Sequence, residues 1–282
     1  MKSIELSSKG AEVFVLQRLL NKSSFSIDSD GDFGPQTLEA VTNFQSQVNL
    51  EPNGIVSDLT WDALFDNTKD LPHEGIDISH YDFDEGKMVD LDYVADNFWF
   101  CYTKGTQGST IKDPKFKNTF GGLEKKQVLR GVYHFFQFGN VQDQIDNFNS
   151  LGIDYSQKGV LPPVLDIEPI AGFNPTVENI DAYIKELNTW LTAIENVTNK
   201  KTIIYTSKNM WDNILKSPSG FEHHPLWVAS YTTGMKPVMP SSWKNCCIWQ
   251  YTETGAVNFV KDYNDVNHLT ISYQHLLELA GF

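Results

Sequence analysis

Apolar residues near the N-terminus are spaced three and then four positions apart in two sets: Val13, Leu16 and Leu20, and Val41, Phe44 and Val48. That spacing places each set along one face of a helix. Pro35 suits the first turn of the second helix, and Ser57 can cap a third helix that carries Trp61. The pattern therefore predicts a small all-α domain of three short helices over residues 1–70.

From Gly75 onward, after a polar linker that contains Pro72, the pattern changes to short apolar runs separated by amphipathic stretches. The runs that fit buried strands are GIDIS, FWFCYT, LRGVYHFF, GVLPPVLDIE, KTIIYT, PLWVASY and NCCIWQYT. A helix is predicted over residues 177–194, where apolar residues recur on one face. Apolar strands that alternate with helices indicate a largely parallel α/β sheet. Because roughly eight such strands would close on themselves, we expect a β/α barrel over residues 71–282.

The composition excludes several classes of function. The chain has 282 residues and a formal net charge of −14, whereas nucleic-acid binding needs a basic surface. No run of about 18 apolar residues occurs, so no membrane insertion is expected. Cys101, Cys246 and Cys247 form a poor disulfide framework, and Cys101 fits a small core residue. The 7 histidines lack metal-ligand spacing, so we predict no metal and no cofactor.

One acidic turn resembles a calcium-binding loop. Asp28, Asp30, Asp32 and Glu39 occupy the carboxylate positions of an EF-hand loop. The glycine that such a loop needs at its sixth position is missing, because Phe33 stands there. The residues are better explained as a turn between two helices, so calcium is not predicted.

Acidic residues also follow or end several predicted strands, where β/α barrels place their chemistry. They are Asp77 in GIDIS, Asp166 and Glu168 in VLDIE, and Asp265 in DYNDVN. Residues i and i+2 of a strand share a face, so Asp166 and Glu168 are predicted to project together. Two buried carboxyls held close cannot both ionise easily, and such a pair suits glycoside cleavage. Taken alone, the pair fits an acidic strand end satisfied by backbone amides or by a lysine better than it fits catalysis.

The N-terminal segment resembles the three-helix peptidoglycan-binding module found beside many cell-wall hydrolases. The resemblance rests on GAEVFVLQRLL, DGDFGPQTLEAVTNFQ and NGIVSDLTWDAL, which follow the order of the module and cover nearly the whole segment. It implies that residues 1–70 bind peptidoglycan. It does not indicate which bond the rest of the chain would cut.

Residues 75–269 resemble glycoside hydrolase family 25, the Chalaropsis-type lysozymes. The motifs that carry the resemblance occur in the family's order: GIDISHYD, YTKGTQGSTIKDPKF, GVYHFF, VLDIEP, IIYT, LWVASY, IWQYTETGAV and DVN. The resemblance implies a flattened, incomplete TIM-like barrel. It also implies a muramidase that hydrolyses the β-1,4 bond between N-acetylmuramic acid and N-acetylglucosamine without a metal. Peptidoglycan glycan strands are then the expected partner, and a monomer is the expected state.

The same resemblance implies roles for the strand-end carboxylates. Glu168 matches the family's general acid, and Asp166 matches its Asp-x-Glu partner. Asp77 matches the aspartate of the first strand, and Asp265 matches that of the terminal Asp-x-Asn. We interpret Glu168 as the proton donor and later base, and Asp166 as the group that orients or stabilises a reacting N-acetyl group. Reaction through that group and direct attack by water both stay open.

Aromatic residues near the predicted strand ends complete a sugar site. Sugar rings stack their apolar faces on aromatic rings, and tyrosine hydroxyls supply hydrogen bonds. Tyr133, Trp227 and Tyr231 lie in the matching motifs and are predicted to bind substrate. Tyr102 and Trp249, in YTKGTQ and IWQYT, are added to this set. For any single aromatic residue, packing in the core is the alternative explanation.

Three other functions fit the sequence less well. A chitinase would carry further aspartates upstream on the catalytic strand, where this chain has Pro162 and Val164. A peptidase or amidase would need zinc ligands or a Cys/His pair, and neither occurs at suitable spacing. A catalytically inactive wall-binding protein is the main alternative, and it would be expected to have lost a strand-end carboxylate.

The N-terminus does not resemble a signal peptide, because Glu5, Lys9 and Glu12 interrupt its apolar residues. We therefore expect a protein that is made in the cytoplasm and reaches the cell wall or periplasm through a holin-type pore or a secretion system. It would act as an endolysin in the first case and as an exported antibacterial effector in the second.

Overall fold

The computed structural model describes residues 1–82, 89–170, 175–255 and 265–282. Its internal contacts separate two units. The first consists of Met1–Pro72 with Ser272–Glu278 and Phe282, and the second of His73–Ile271 with Leu279–Gly281. No sequence pattern predicted that residues 272–278 would group with the N-terminal unit, and the domain limits at 1–70 and 71–282 stay predictions.

The N-terminal unit contains the three predicted helices, which confirms the all-α domain. They are α1 Ala11–Lys22, α2 Pro35–Gln47 and α3 Asp58–Thr68, and residues Ser272–Glu278 near the C-terminus belong to the same unit. Leu16 is fully buried, and Phe44 and Trp61 are each 1% exposed. Pro35 begins α2 as predicted, whereas Ser57 precedes α3 without a capping hydrogen bond from its side chain.

Two buried glutamines hold the turns between these helices. Gln17 donates from Nε2 to Asp30 Oδ1 (2.8 Å) and accepts at Oε1 from the Gly31 N–H (2.8 Å). Gln45 accepts in the same way from the Gly54 N–H (2.9 Å), and both glycines have a φ of +74°. The acidic turn is therefore a hydrogen-bonded loop. Among the described residues, no group of three or more His, Cys, Asp or Glu is arranged to hold a metal ion.

Within the part of the chain that the structure describes, the second unit is built on a sheet of nine strands. They are β1 Glu74–Ile78, β2 Phe100–Gln107, β3 Ile111–Lys112, β4 Leu129–Phe135, β5 Val164–Ile167, β6 Ile203–Ser207, β7 Leu226–Ala229, β8 Ile248–Thr252 and β9 Asp265–Leu269. All except β3 close into a ring, in which neighbours run parallel from β1 through β8 and β9 is antiparallel to both β8 and β1. The ring confirms the predicted barrel.

Helices connect several of the strands: α4 Leu91–Asn97, α5 Phe116–Lys125, α6 Val141–Asn149 and α7 Ile180–Thr198. The helix Tyr273–Leu279, α8, follows the last strand. A 3-10 turn, His80–Asp82, follows β1, and a π-helical turn, Asn209–Ile214, follows β6. Residues 230–247, between β7 and β8, contain no helix, so the barrel is incomplete as the resemblance implied. Within the described ranges, no helix combines the length and the apolar character needed to cross a bilayer.

Strand alternation gives the barrel an apolar outer face and a polar inner face. Leu165 and Ile167 of β5 are fully buried in a core cluster that also contains Trp190 of α7. Asp166 lies between them in sequence and therefore projects to the opposite, inner face. Cys101 is buried in a neighbouring apolar cluster, as predicted. The chemistry of the second unit is thus confined to the inside of the ring.

Candidate active site

A cavity of about 420 Å³ opens at the carboxyl ends of the barrel strands, and its volume is typical of a small-ligand site. The structure brings all of the predicted carboxylates into its lining: Asp77, Asp166, Glu168 and Asp265. Asp77 lies on β1, Asp166 on β5 and Asp265 on β9, and Glu168 directly follows β5. Convergence of this kind is how β/α barrels assemble active sites.

Asp166 and Glu168 form a hydrogen-bonded pair of carboxyl groups. Asp166 is 4% exposed, and burial raises its pKa well above the usual value, an effect that the charge of Glu168 strengthens. Burial also raises the pKa of the half-buried Glu168, although the hydrogen bond with Asp166 opposes that rise. The pair therefore keeps a shared proton at a pH where an isolated carboxyl would lose it.

Lys104 of β2 lies in the same cavity as this pair, because strand alternation turns it to the inner face. The pairing of β2 with β4 shifts register between Lys104 and Thr106, because Gly105 is an extra residue there. This bulge turns Thr106 outward, where it bonds His134 Nδ1 (2.7 Å). The Lys104 ammonium donates to Gln107 Oε1 (2.7 Å). Its charge opposes the rise in pKa that burial causes in both carboxyls of the pair.

Two amide side chains orient Asp77. Gln250 Nε2 and Asn267 Nδ2 both donate to Oδ2 of Asp77, at 3.0 and 2.7 Å. Asn267 is held in turn by Trp227, whose indole N–H donates to Oδ1 (2.8 Å). Gln250 Oε1 accepts a hydrogen bond from the Tyr205 hydroxyl (2.7 Å). Residues from β6, β7, β8 and β9 therefore fix the position of a carboxyl on β1.

Asp265 makes a second carboxyl pair with Asp77, its partner on the adjacent strand. Burial, followed by the charges of Asp82 and Glu168, raises the pKa of Asp265 to about 7, while the hydrogen bond with Asp77 opposes the rise. Burial also raises the pKa of Asp77 well above the usual value, and the charge of Asp265 adds to this. The cavity thus contains two carboxyl pairs that hold protons unusually tightly.

Asp265→Asn is expected to stabilise the protein more at pH 8 than at pH 5. The pKa of Asp265 rises from 3.8 in the unfolded chain to about 7 in the fold, so the stability linked to its proton is complete below about pH 4 and is lost as the pH rises toward 7. An asparagine amide does not titrate, so the variant does not lose this stability. Because two pH units separate pH 5 from the folded-state pKa of about 7, the extra gain at pH 8 should be about 3 kcal/mol. Thermal unfolding at both pH values measures it.

Asp154→Asn is the control for this prediction. Asp154 is exposed, and hydrogen bonds from Ser156 lower its pKa rather than raising it. The Asp154 variant should show no stabilisation, relative to the wild type, that increases between pH 5 and pH 8. An equal change in the unfolding midpoint of the Asp265 variant at both pH values would mean that Asp265 titrates as an ordinary carboxyl.

Tyr133 and Trp227, two of the predicted sugar-binding residues, line the cavity. Trp227 is 2% exposed and packs against Tyr205, with ring centroids 5.2 Å apart. Tyr231 is 51% exposed, and its hydroxyl donates to Gln250 Oε1 (2.6 Å), which connects it to the network around Asp77. The part that these three residues play in sugar binding stays a prediction.

Tyr102 and Trp249, also predicted to bind substrate, are not among the residues that line the cavity. Tyr102 is fully buried, and its hydroxyl donates to the Pro162 carbonyl (3.2 Å). Trp249 is 8% exposed, lies in the outer apolar core, and donates from Nε1 to the Ser230 carbonyl (2.8 Å). Their burial leaves little surface on which a sugar could stack, so both residues pack the barrel.

His134 faces away from the cavity, as its position next to Tyr133 on β4 predicts. It is fully buried and stacks on Trp190, with ring centroids 5.3 Å apart. Gln144 Oε1 lies 3.1 Å from its Nε2, and Thr106 engages the other ring nitrogen. Burial lowers the pKa of His134 to about 4, so the ring is neutral near pH 7 and acts as a structural residue.

Sequence reasoning missed Lys104, Gln250 and Asn267, although each lies in a motif that carried the resemblance. One signal was available, because Asn267 stands two positions after Asp265 and must share its face of the strand. Gln250 gave no comparable signal, since a neutral amide next to a tryptophan has no obvious chemistry. The last two residues of the motif IWQYTETGAV, Ala256 and Val257, lie outside the described residues.

Comparison with protein families identifies both parts of the chain. Residues 76–260 match the family described as "Glycosyl hydrolases family 25", and residues 9–64 match that described as "Putative peptidoglycan binding domain". The first match covers more than half of the chain. The chain therefore belongs to glycosyl hydrolase family 25 and is a glycoside hydrolase. Both resemblances inferred from the motifs are confirmed.

Individual relatives and solved structures agree with this assignment. Lysozyme M1 of Streptomyces globisporus is 30% identical over 217 residues, which cover 74% of this chain and 71% of that protein. The bacterial lysozyme structure from Streptomyces coelicolor gives a TM-score of 0.65 at 28% identity and covers 74% of this chain and 96% of its own. A family GH25 lysozyme structure from Aspergillus fumigatus also gives 0.65, at 25% identity, with coverage of 75% and 100%.

Proposed function

We propose that this protein is a muramidase, which hydrolyses the β-1,4 bond between N-acetylmuramic acid and N-acetylglucosamine in peptidoglycan. The buried, hydrogen-bonded pair of Asp166 and Glu168 at the carboxyl end of β5 carries the proposal. A glycosidase needs one carboxyl that keeps its proton at working pH beside a second that can ionise. Peptidoglycan is the favoured substrate because the similar proteins from S. globisporus and S. coelicolor are named lysozymes.

Glu168 is the proposed proton donor because it is the more accessible member of the pair. Asp166 is 4% exposed, whereas Glu168 is half-buried at the cavity wall. Their hydrogen bond gives the shared proton a path from Asp166 to Glu168 when a sugar displaces solvent. Glu168 then protonates the leaving glycosidic oxygen, and the ionised group later takes a proton from the attacking water.

Asp166 is proposed to act on the sugar once its proton has moved to Glu168. Asp166 lines the cavity, so its ionised carboxylate can accept the N–H of an N-acetyl group and turn the carbonyl of that group toward the reacting carbon. Lys104 supplies the positive charge that stabilises the new carboxylate. The same proton donor serves direct attack by water, so the role of Glu168 does not depend on the route.

Asp77 and Asp265 are proposed to stabilise positive charge that develops on the sugar ring. Asp77 is held by two amide donors, so no side chain must reorganise when that charge appears. A network this complete is expected of a working enzyme. It therefore favours catalysis over the alternative of an inactive wall-binding protein.

The N-terminal unit is proposed to hold the enzyme on the wall, in keeping with the family that residues 9–64 match. Its ligand would be the same polymer that the barrel cleaves. The site of action would be the cell wall or the periplasm. We propose delivery through a holin-type pore, as an endolysin, or through a secretion system, as an antibacterial effector.

Digestion of purified peptidoglycan tests the proposed reaction class. A muramidase should release new reducing sugars and no new amino groups, because it breaks only glycosidic bonds. A peptidase or amidase would release amino groups instead. An inactive binding protein would sediment with the wall and release neither product. Colorimetric assays of both groups on the same sample separate these outcomes.

A further inference from the structure

One aromatic side chain of the cavity lining is held open to solvent. Tyr81 lies in the 3-10 turn after β1, and 67% of its surface is exposed. Deeper in the same cavity, Tyr205 and Trp227 are 7% and 2% exposed. A single exposed aromatic ring is unremarkable on most protein surfaces. Tyr81 differs because its ring borders the cavity that contains the carboxyl pairs.

A buried carboxylate anchors the turn that carries Tyr81. The Asp113 side chain is 2% exposed, and its Oδ2 accepts the backbone N–H of His80 (2.9 Å) and lies 2.7 Å from His80 Nδ1. Its Oδ1 accepts the backbone N–H of Lys115 (2.8 Å). Asp113 therefore fixes both the backbone and the ring of the residue immediately before Tyr81.

Hydrogen bonds within the turn complete this anchoring. Asp82 Oδ2 accepts from the backbone N–H of Ser79 (2.5 Å) and from its hydroxyl (3.1 Å), and the Tyr81 N–H donates to the same hydroxyl (3.2 Å). The His80 ring packs against the Tyr81 ring, with centroids 3.9 Å apart. The Tyr81 ring is thus held in position before any ligand binds, which lowers the conformational entropy lost on binding.

The Tyr81 ring lies on the side of the cavity that Lys104 lines. The Lys104 ammonium lies 5.5 Å from the centre of the Tyr81 ring and interacts electrostatically with Asp166 and Glu168. A ring in this place can cover the apolar face of a pyranose that lies beside the sugar being cleaved. An exposed aromatic ring on a rigid turn is suited to such a ligand, because stacking needs area and orientation but no charge.

We propose that Tyr81 is a stacking platform for an N-acetylhexosamine unit of the glycan strand, adjacent to the cleaved linkage, and that His80 and Asp113 hold it in position. This inference rests on the proposed function, since it takes the glycan strand as the substrate. It adds a binding residue that lies on a turn and outside the strand-end carboxylates and buried aromatics.

Tyr81→Ala and Tyr81→Phe test the platform with soluble glycan chains as the substrate. The alanine variant should raise KM about five- to tenfold, which is what the loss of one aromatic stacking contact produces. Its kcat should stay within about twofold, because a contact made equally in the ground and transition states affects binding alone. The phenylalanine variant keeps the ring and should stay close to the wild type in both constants. Val197→Ala is the matched control, since Val197 is also 67% exposed but does not line the cavity.

An unchanged KM for Tyr81→Ala would overturn the platform, and so would a loss confined to kcat. Failure of the proposed function gives a different result, because the wild type itself would then cleave no glycan. In that event, calorimetric titration of wild type and Tyr81→Ala with the same chains still decides whether Tyr81 binds sugar.

A double-mutant cycle tests the positioning role of His80. His80→Ala should raise KM at least about twofold in the wild-type background, because the Tyr81 ring loses its neighbour. In the Tyr81→Ala background the same change should have no effect on KM, since no ring is left to position. An equal rise in both backgrounds would show that His80 acts independently of Tyr81 and would overturn its positioning role.

Discussion

Glu168→Gln is expected to slow glycan cleavage by about 10²- to 10⁴-fold, the usual contribution of a general acid. Glutamine has nearly the same size as glutamate and can still hydrogen-bond Asp166, but it cannot deliver a proton to the leaving oxygen. Glu168 is half-buried at the cavity wall and lies outside the apolar core, so the fold should persist. Single-turnover hydrolysis of soluble glycan chains measures the rate, and circular dichroism checks the fold.

Glu253→Gln is the matched control for this variant. Glu253 is an exposed carboxylate whose charge also acts on Glu168. Because salt screens exposed charges, the control should keep its rate within about threefold of the wild type. Retained turnover in Glu168→Gln would remove Glu168 from the role of acid. Equal losses in the two variants would attribute the effect to negative charge rather than to the proton.

Asp166→Asn has the second largest expected effect, a loss of about 10²- to 10³-fold in kcat, as for the removal of one preorganised electrostatic group. The amide can no longer become the negative group that orients an N-acetyl substituent. It also removes the carboxyl that shares a proton with Glu168. The same single-turnover assay measures this loss.

The pH profile of Asp166→Asn separates this role from a loss of packing. In the wild type, ionisation of both carboxyls would place two negative charges side by side, so the pair keeps its last proton to a higher pH. With asparagine at position 166, Glu168 ionises without that repulsion. The active protonated form is therefore lost at a lower pH than in the wild type. The alkaline limb of kcat should move to lower pH. An unchanged limb would contradict proton sharing.

Local patterns were sufficient to predict the carboxylates of the site. The two-residue spacing of Asp166 and Glu168 places both on the inner face of β5, and the structure shows them there. The same rule separates Gln250 from Trp249 on β8, and applying it along β8 would have assigned Trp249 to the outer core.

Contacts made by barrel closure could not be predicted in this way. Gln250 and Asn267 reach Asp77 across 173 and 190 residues of chain, and no local pattern encodes that distance. The grouping of residues Ser272–Glu278 of α8 with the N-terminal unit likewise joins parts of the chain that are far apart in sequence. Its apolar residues predict a face that must be buried, but they do not identify the surface that buries it.

Mass spectrometry of purified peptidoglycan, digested by the wild type and then reduced with borohydride, tests the assigned bond most directly. Borohydride marks each new reducing end, so the reduced sugar identifies the linkage that was cut. Reduced N-acetylmuramic acid is expected at the new ends after digestion with the wild type, and none after digestion with Glu168→Gln. Reduced N-acetylglucosamine at the new ends would contradict the assigned bond.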